Sequence, residues 1–333
     1  MTPAAPPSAR ALARRELGRS GLEVTELGLG SAALGNLYTE VDDATAAATV
    51  DAAWRAGIRL FDVAPHYGLG LAERRLGAAL AGRPRDEYVI STKVGRLLVP
   101  VAEPAGRDAA GFAVPAAYER RFDYSADGVR ASIEASLGRL GLDRIDIALI
   151  HDPDNHEEQA FTQAYPALER LRAEGVVRAI GAGMNQTEML TRFVTDTDVD
   201  VVLLAGRYTL LDGRAAATLL PAARARGVSV LAGGVFNSGL LARPDPGARF
   251  DYRAAPPALV QRARAIEATC ARYGVPLRAA AARFPLRDPA VAAVLIGART
   301  PDEITEAVAL RRLPIPAELW DALARPADPR EQP

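Results

Sequence analysis

The sequence predicts one α/β domain built as a (β/α)8 barrel. Between residues 27 and 312, short apolar segments alternate with amphipathic stretches rich in Ala and Arg. Near-continuous apolar strands that alternate with helices are typical of a parallel sheet covered by helices. Eight such units indicate a closed TIM barrel, and 333 residues is an ordinary length for one.

The eight units can be placed in order along the chain. The apolar segments predict strands at 27–32, 60–63, 88–93, 145–151, 179–183, 201–204, 229–232 and 293–296. The amphipathic stretches predict helices near 42–56, 70–82, 126–140, 157–174, 187–195, 213–226, 256–273 and 301–311. A further short helix is predicted around 317–323.

Three additions decorate this barrel. Residues 16–26 predict a hairpin that turns at Ser20-Gly21 and closes the bottom of the barrel. Long segments with Pro and Gly, at 95–123 and 234–255, follow the third and seventh strands, where barrel loops shape the substrate or cofactor site. Residues 1–13 are rich in Ala and Pro and predict a disordered tail. The domain is therefore expected to span 14–325, followed by a flexible tail at 326–333.

An open, doubly wound sheet is the alternative fold. It requires a G-x-G-x-x-G turn after an early strand. The segment Leu27-Gly28-Leu29-Gly30-Ser31 has two of these glycines but no third glycine that opens a helix. The alternation of eight units therefore favours the barrel.

Composition excludes several classes of partner. The 41 acidic and 40 basic residues leave a net charge of −1, which gives no electrostatic case for nucleic acid or an anionic membrane. No apolar run approaches the roughly 18 residues of a membrane span, and no signal peptide is expected. The single cysteine, Cys270, suits a reducing compartment, so we expect a cytoplasmic protein without a metal site. The oligomeric state stays open.

One lysine stands out, because every other basic residue in the chain is arginine. Lys93 ends the apolar strand Tyr88-Val89-Ile90-Ser91-Thr92-Lys93. An ammonium group is compact and its pKa responds to burial, whereas a guanidinium group stays charged. We therefore interpret Lys93 as a catalytic residue, against the alternative that one lysine remains by chance.

Four polar residues fall at or just after the ends of successive predicted strands. They are Asp62, Tyr67, Lys93 and His151, and in a parallel barrel all four lie at one mouth. An ammonium group beside a tyrosine favours the phenolate, and a carboxylate paired with the lysine holds that ammonium in place. A neutral imidazole can orient the oxygen that gains or loses the proton. The set predicts proton transfer in a carbonyl/alcohol interconversion, which needs a hydride carrier such as nicotinamide.

Each of these residues also has an ordinary structural explanation. Asp62 can cap a turn, Tyr67 can sit on a rim, Lys93 can pair with Asp62, and His151 can be a satisfied residue at a strand end. Their coincidence at consecutive strand ends favours the functional interpretation.

The residues around Tyr67 resemble the aldo-keto reductase family. The segment Gly57-Ile58-Arg59-Leu60-Phe61-Asp62-Val63-Ala64-Pro65-His66-Tyr67-Gly68 is similar to the family signature GxxxxDTAxxYG, and Glu73 and Leu76-Gly77 continue it. Lys93 and His151 match the rest of the family's catalytic tetrad. The resemblance covers roughly 16–312, and it implies that Tyr67 is the acid/base, that Lys93 and Asp62 tune it, and that His151 orients the substrate.

Within the family, several stretches resemble the branch that oxidises sugars at C1, which is similar to pyridoxal 4-dehydrogenase and L-galactose dehydrogenase. These are His151-Asp152-Pro153-Asp154, 182–186, 203–211 and 233–241. The resemblance implies NAD(P)-dependent oxidation of an aldose of the L-fucose, L-galactose or D-arabinose type to its lactone. Substrate hydroxyls are expected to meet loops 95–123 and 207–214, with Asp152 and Arg207 as candidate contacts.

The resemblance also implies a set of cofactor residues. Asn185 is expected at the nicotinamide carboxamide, but Met184 replaces the family's serine, and the glutamine of the next strand is replaced near Ala205. A pyrophosphate loop is implied at Phe236, Asn237, Ser238, Gly239 and Leu240, and an adenosine site at Gly297, Arg299, Thr300 and Glu303.

Glu303 stands where many members of the family carry a basic residue. A carboxylate there would repel a 2′-phosphate, which favours NAD over NADP, although Arg299 opposes this preference.

The alternatives to sugar oxidation are a carbonyl reductase that works in the opposite direction, a pyridoxal 4-dehydrogenase, and a non-catalytic subunit that senses nicotinamide nucleotides. A metal-dependent barrel hydrolase is disfavoured, because clustered His and carboxylate ligands are lacking in the sequence.

Overall fold

In a computed structural model, which describes residues 12–324, eight parallel strands close into a barrel. These are β3 (Leu27–Gly30), β4 (Leu60–Asp62), β5 (Val89–Val94), β8 (Ile147–His151), β9 (Ala179–Met184), β10 (Val201–Ala205), β11 (Ser229–Gly233) and β14 (Val291–Gly297). Each strand pairs in parallel with its neighbours, and β14 closes the ring on β3. The predicted (β/α)8 barrel and its eight strands are confirmed.

The other strands form three small hairpins outside the barrel. They are β1 (Arg14–Glu16) with β2 (Glu23–Thr25), β6 (Arg96–Pro100) with β7 (Tyr118–Phe122), and β12 (Arg249–Phe250) with β13 (Arg253–Ala254). The first is the hairpin predicted at 16–26. The other two lie in the long segments that follow β5 and β11, so both insertions carry structure of their own.

Helices surround the barrel. They are α1 (Asp43–Arg55), α2 (Leu71–Leu80), α3 (Ala126–Leu140), α4 (Glu157–Gln159), α5 (Tyr165–Ala173), α6 (Thr187–Asp196), α7 (Leu219–Arg226), α8 (Pro257–Arg272), α9 (Leu277–Arg283), α10 (Pro301–Arg312) and α11 (Ala317–Ala324). Four 3-10 turns lie at Ser31–Gly35, Arg85–Glu87, Arg214–Ala216 and Pro285–Arg287, and a π-helix at Ala160–Ala164 joins α4 to α5.

The helices differ from the prediction at three places. The single helix expected at 157–174 is interrupted by the π-helix, and the one expected at 213–226 begins as the turn Arg214–Ala216 before α7. Helix α9 was not predicted, although its Ala-rich sequence has high helix propensity. It lies between α8 and the last barrel strand, β14, where the eight-unit repeat assigns no helix.

The bottom of the barrel is closed by the β1–β2 hairpin. Leu17 and Leu22 are buried there, in one apolar cluster with inward-facing strand residues such as Leu60 and Leu149. Ser20 Oγ donates to the Leu17 carbonyl oxygen over 2.6 Å, which tightens the turn. Because the β1–β2 hairpin closes this end of the barrel, the opposite end, where the C-terminal ends of the strands lie, is the open mouth.

The tails predicted at 1–13 and 326–333 fall almost entirely outside the described residues, although Leu12 is described and buried in the main core. No helix within 12–324 is long and apolar enough to cross a membrane.

Candidate active site

The open mouth carries a buried ion pair between two neighbouring strands. Asp62 ends β4, and Lys93 stands near the end of β5. Lys93 Nζ donates to Asp62 Oδ2 over 2.7 Å and to the Val63 carbonyl oxygen over 3.0 Å. The hydroxyl of Ser91 donates to the other oxygen of Asp62 over 2.9 Å. These bonds fix the ammonium and leave one side of it to face Tyr67.

Tyr67 lies in the loop between β4 and α2, directly above this pair. Its ring centroid is 4.8 Å from Lys93 Nζ and 6.1 Å from the ring of His151. The loop depends on Gly68, whose φ is 61°. A Cβ at Gly68 would lie 2.3 Å from the carbonyl oxygen of Gly35, so only glycine lets the chain pass there. The four predicted residues are therefore brought together at one place.

Opposing effects set the charge of Tyr67. Burial raises the pKa of its phenol, and the ammonium of Lys93 lowers it, with a net direction upward from about 10. Burial also lowers the pKa of Lys93, but Asp62 and Tyr67 outweigh it and raise that pKa overall. At neutral pH, Lys93 is therefore a charged ammonium and Tyr67 a protonated phenol, which differs from the phenolate that the sequence suggested. Burial of the phenol is the contribution that sequence reasoning left out.

His151 ends β8 and is enclosed. Burial lowers its pKa well below the usual value, and Arg96 and Lys93 lower it further, so the imidazole is neutral. Its Nε2 lies 3.5 Å from Asp152 Oδ2, whereas Nδ1 is buried without a hydrogen-bond partner among the described residues. An acceptor near Nε2 favours the tautomer that carries its proton there.

Asp152 follows at once, with a left-handed φ of 40°. Its Oδ2 accepts from Arg96 Nη2 over 2.5 Å, and the hydroxyl of Tyr124 donates to the carbonyl oxygens of His151 and Asp152 over 2.7 and 3.0 Å. The carboxylate predicted as a substrate contact is thus beside His151, but it is held by Arg96 of the β6–β7 hairpin.

A cavity of about 900 Å³ leads from Tyr67 to the start of α10. Most of the predicted cofactor residues line it, namely Asn185, Phe236, Asn237, Ser238, Gly239, Gly297, Arg299 and Glu303. Leu240 and Thr300 are not among the lining residues: Leu240 is fully buried, and Thr300 caps α10. The lining includes Tyr67 as well as Arg299 and Glu303 at the N-terminus of α10.

A model of the aldo/keto reductase family matches residues 26–326. The chain belongs to this family. It is 48% identical to a D-threo-aldose 1-dehydrogenase from Pseudomonas sp over 92% of this chain and 94% of that protein. It is 42% identical to a pyridoxal 4-dehydrogenase from Microbacterium luteolum, over 94% and 97%, and 33% identical to an L-galactose dehydrogenase from Arabidopsis thaliana, over 89% and 86%.

Solved structures agree with this assignment. The holo form of an aldo-keto reductase from Bacillus halodurans superposes with a TM-score of 0.72 at 26% identity, covering 94% of this chain and 95% of that one. A glycerol dehydrogenase from Gluconobacter oxydans shares the fold, with a TM-score of 0.75 at 24% identity over 95% and 98%. This aldo-keto reductase is therefore an NAD(P)-dependent oxidoreductase.

The cavity fits a dinucleotide. Its lining includes four arginines that suit a pyrophosphate, namely Arg243, Arg249, Arg278 and Arg299. Asn237 Nδ2 donates to the Gly206 carbonyl oxygen over 3.1 Å, while its Oδ1 is buried without a hydrogen-bond partner among residues 12–324. Gly30, Gly206 and Gly234 are among the lining residues and add no side chains to the cavity. The two positions at which this chain departs from the family pattern differ in their surroundings: Met184 is buried in β9, whereas Ala205 lines the cavity.

The loop over this cavity is held in an unusual backbone. Asn237 and Ser238 have φ of 46° and 57°, and Asp251 and Tyr252 have φ of 48° and 64°. The amide of Tyr252 donates to Ser238 Oγ over 3.2 Å, which joins the two turns. Residues other than glycine seldom adopt this left-handed backbone region, so contacts with other parts of the protein must hold the loop in it.

Arg207 supplies those contacts. Its Nη1 and Nη2 donate to the two oxygens of Asp251, each over 2.8 Å, and its side chain is almost fully buried. Arg207, predicted as a substrate contact, is therefore placed beneath the 234–255 loop. Its hydrogen bonds to Asp251 hold this loop over the cavity.

At the far end, Glu303 takes part in the cap of α10. Its Oε2 accepts from the amide of Arg299 over 2.7 Å, and its own amide donates to Thr300 Oγ1 over 3.3 Å. The arrangement differs from a capping box by one residue, because the carboxylate accepts from Arg299, which precedes the N-cap Thr300, and not from Thr300 itself. The carboxylate is thus fixed at the end of the cavity beside α10 and has a structural function there.

Further side chains, which sequence reasoning missed, surround Tyr67 and His151. His66, Phe112 and Arg120 lie around Tyr67 and His151, and Tyr252 lines the cavity near Tyr67. His66 lies inside the signature, next to Tyr67, but its partners Phe112 and Arg120 come from the inserted segment 95–123, which is distant in sequence. Among the described residues, no group of His, Cys, Asp and Glu side chains is arranged to hold a metal ion.

Proposed function

We propose that this aldo-keto reductase is an aldose 1-dehydrogenase that oxidises a cyclic sugar of the L-fucose, L-galactose or D-arabinose type to its lactone. The observation that carries the proposal is 48% identity with a D-threo-aldose 1-dehydrogenase over nearly the whole of both chains. The mouth of the barrel supports it, because a buried Lys93–Asp62 pair lies against Tyr67.

In the proposed mechanism, Tyr67 accepts the proton of the C1 hydroxyl, and His151 donates a hydrogen bond from Nε2 to the same oxygen. The C1–H bond breaks with both electrons as the C1=O bond of the lactone forms. When bound, the oxidised nicotinamide supplies the acceptor for that hydride. Lys93 stabilises the phenolate that must form before the proton is accepted, and Asp62 keeps Lys93 in place.

We further propose a preference for NAD over NADP. The fixed Glu303 carboxylate supports it by repelling a 2′-phosphate, whereas Arg299 on the same turn opposes it. The two Michaelis constants measured on one sugar test this point. A strong preference for NADP would contradict it, and Glu303→Gln is expected to lower the NADP constant more than the NAD constant. We also propose a cytoplasmic location, on the ground of the single cysteine.

Oxidation of pyridoxal is the second candidate function. A relative that is 42% identical carries that activity in its name, and Phe112 and Tyr252 supply aromatic surface beside the site. The experiment is the rise in absorbance of reduced nicotinamide, with NAD or NADP, on L-fucose, L-galactose, D-arabinose and pyridoxal. Turnover of a sugar above pyridoxal supports the proposal. Turnover of pyridoxal alone selects the second candidate, and cofactor binding without any turnover points to a reductase or a sensing subunit.

A further inference from the structure

His66 borders the reaction site without belonging to the tetrad. Its ring centroid is 5.7 Å from that of His151 and 6.1 Å from that of Tyr67. Phe112 packs edge-to-face against it, with centroids 5.2 Å apart. Any substrate whose reacting oxygen is held by Tyr67 and His151 therefore has neighbouring atoms close to His66.

The orientation of His66 is fixed from the β6–β7 hairpin. Arg120 Nε donates to His66 Nδ1 over 2.6 Å, and Arg120 Nη2 donates to the His66 carbonyl oxygen over 3.1 Å. Asp108 holds the guanidinium in turn, accepting from Nη1 over 2.5 Å and from Nη2 over 3.0 Å. Both partners are nearly enclosed, because 14% of the Arg120 side chain and 4% of the Asp108 side chain are exposed.

These contacts decide which ring nitrogen carries the proton. Guanidinium groups only donate, so Nδ1 of His66 must present its lone pair, and the neutral ring carries its proton on Nε2. Burial lowers the pKa of His66 to about 2, with Arg96, Arg120 and Lys93 contributing, so the ring stays neutral throughout the working pH range. Within residues 12–324, Nε2 has no acceptor, yet it is not among the enclosed atoms. It is therefore a donor with no protein acceptor among these residues, on a side chain that is only partly buried.

We propose that His66 determines specificity for the oxygen next to the reacting carbon, by donating Nε2–H to the C2 hydroxyl of the sugar. Arg120 and Asp108 are positioning residues that fix this tautomer. The inference rests on the proposed function and adds a requirement: the substrate carries an oxygen on the carbon beside C1. A site built to bond a hydroxyl rejects the analogue that lacks it, because the donor is left unpaired.

The test uses two sugars that differ only at C2. D-Arabinose without its C2 hydroxyl is 2-deoxy-D-erythro-pentose, and 2-deoxy-L-fucose is the matched analogue if L-fucose is the better substrate. The wild type is expected to prefer the complete sugar by at least about tenfold in kcat/KM. In His66→Asn, whose amide nitrogen lies near the Nδ1 position, the complete sugar should lose about tenfold while the deoxy sugar changes less than about twofold. His66→Gln places its amide nitrogen near the Nε2 position and should recover most of the kcat/KM on the complete sugar.

Arg120→Lys tests the positioning role, with Arg121→Lys on the exposed face of the same strand as its control. A lysine cannot hold Asp108 and both His66 atoms at once, so discrimination between the two sugars should fall in Arg120→Lys alone. The chain has three histidines, so ¹⁵N-histidine labelling gives three imidazole signal pairs in NMR. The pair that is lost in His66→Asn should show a protonated Nε2, and it should shift in Arg120→Lys.

Two failures are distinguishable. Equal losses on both sugars in His66→Asn, or a protonated Nδ1 in the spectrum, would overturn the assignment of His66 while leaving sugar oxidation intact. A wild-type enzyme that oxidises none of L-fucose, L-galactose and D-arabinose would overturn the proposed function, and the C2 contact with it.

Discussion

Replacing Lys93 by methionine is expected to weaken the fold as well as stop the chemistry. Lys93 Nζ lies 2.7 Å from Asp62 Oδ2, and 2% of the lysine side chain and 4% of the aspartate side chain are exposed. At an effective dielectric constant of about 20, two unit charges at this distance attract each other by about 6 kcal/mol. Methionine keeps most of the volume of the lysine stem, so the change removes mainly the charge.

The expected cost is about 3–5 kcal/mol in the free energy of unfolding, because a buried carboxylate is left without its cation. The Ser91 hydroxyl still donates to Asp62, but it carries no charge. Adding Asp62→Asn removes the uncompensated charge, so the double variant should be more stable than Lys93→Met by about 2 kcal/mol.

Equilibrium unfolding in urea, followed by circular dichroism, measures these differences. Arg107→Met is the matched control, because Arg107 and Glu40 form an ion pair of 2.6 Å with 68% and 61% of their side chains exposed. That change should cost less than about 1 kcal/mol. The reasoning would be refuted if Lys93→Met cost no more than the control, or if the effects of Lys93→Met and Asp62→Asn were additive.

Two further outcomes follow from the site. Oxidation needs the phenolate of Tyr67, and the pKa of this phenol is raised above about 10, so kcat/KM for oxidation should climb about tenfold per pH unit from pH 7 towards pH 10 without a plateau. The reverse reduction needs the phenol, so its kcat/KM should stay level over this range. A plateau of oxidation near pH 8 would contradict this reasoning. Arg207→Met releases Asp251 and should raise the dissociation constant of NAD(P), measured by calorimetry, about tenfold. Arg253→Met on the exposed β13 is the control and should leave this constant unchanged. Equal dissociation constants in Arg207→Met and the wild type would show that the Arg207–Asp251 pair has no part in cofactor binding.

Much of the fold and the tetrad could be predicted because both depend on local signals. Parallel strands buried on both faces leave continuous apolar runs in the sequence, and residues at their C-terminal ends must share one mouth. Asp62, Lys93 and His151 all follow from this rule. The composition, with its single lysine, pointed to the same place.

Partners that are distant in sequence could not be predicted. Arg207 was expected at the substrate from its place in the loop 207–214, but its bidentate partner Asp251 lies 44 residues further on. His66 and Arg120 are 54 residues apart and meet because the segment after β5 folds back as a hairpin. No local pattern fixes how such an insertion packs.

The charge of Tyr67 illustrates the same limit. The neighbouring lysine could be predicted, and it does lower the pKa of the phenol. Burial has the larger effect in the opposite direction, and it depends on the surrounding loops. A sequence indicates which charges are near, whereas desolvation follows from the packed structure.

The central claim is that Tyr67 moves the proton in a nicotinamide-dependent oxidation of an aldose. The most direct measurement is the rate of nicotinamide reduction by the wild type and Tyr67→Phe on the best sugar of the panel, with cofactor binding to both measured by calorimetry. The account predicts a loss of at least about 100-fold in kcat with an unchanged dissociation constant for the cofactor. Near-full activity in Tyr67→Phe would contradict it.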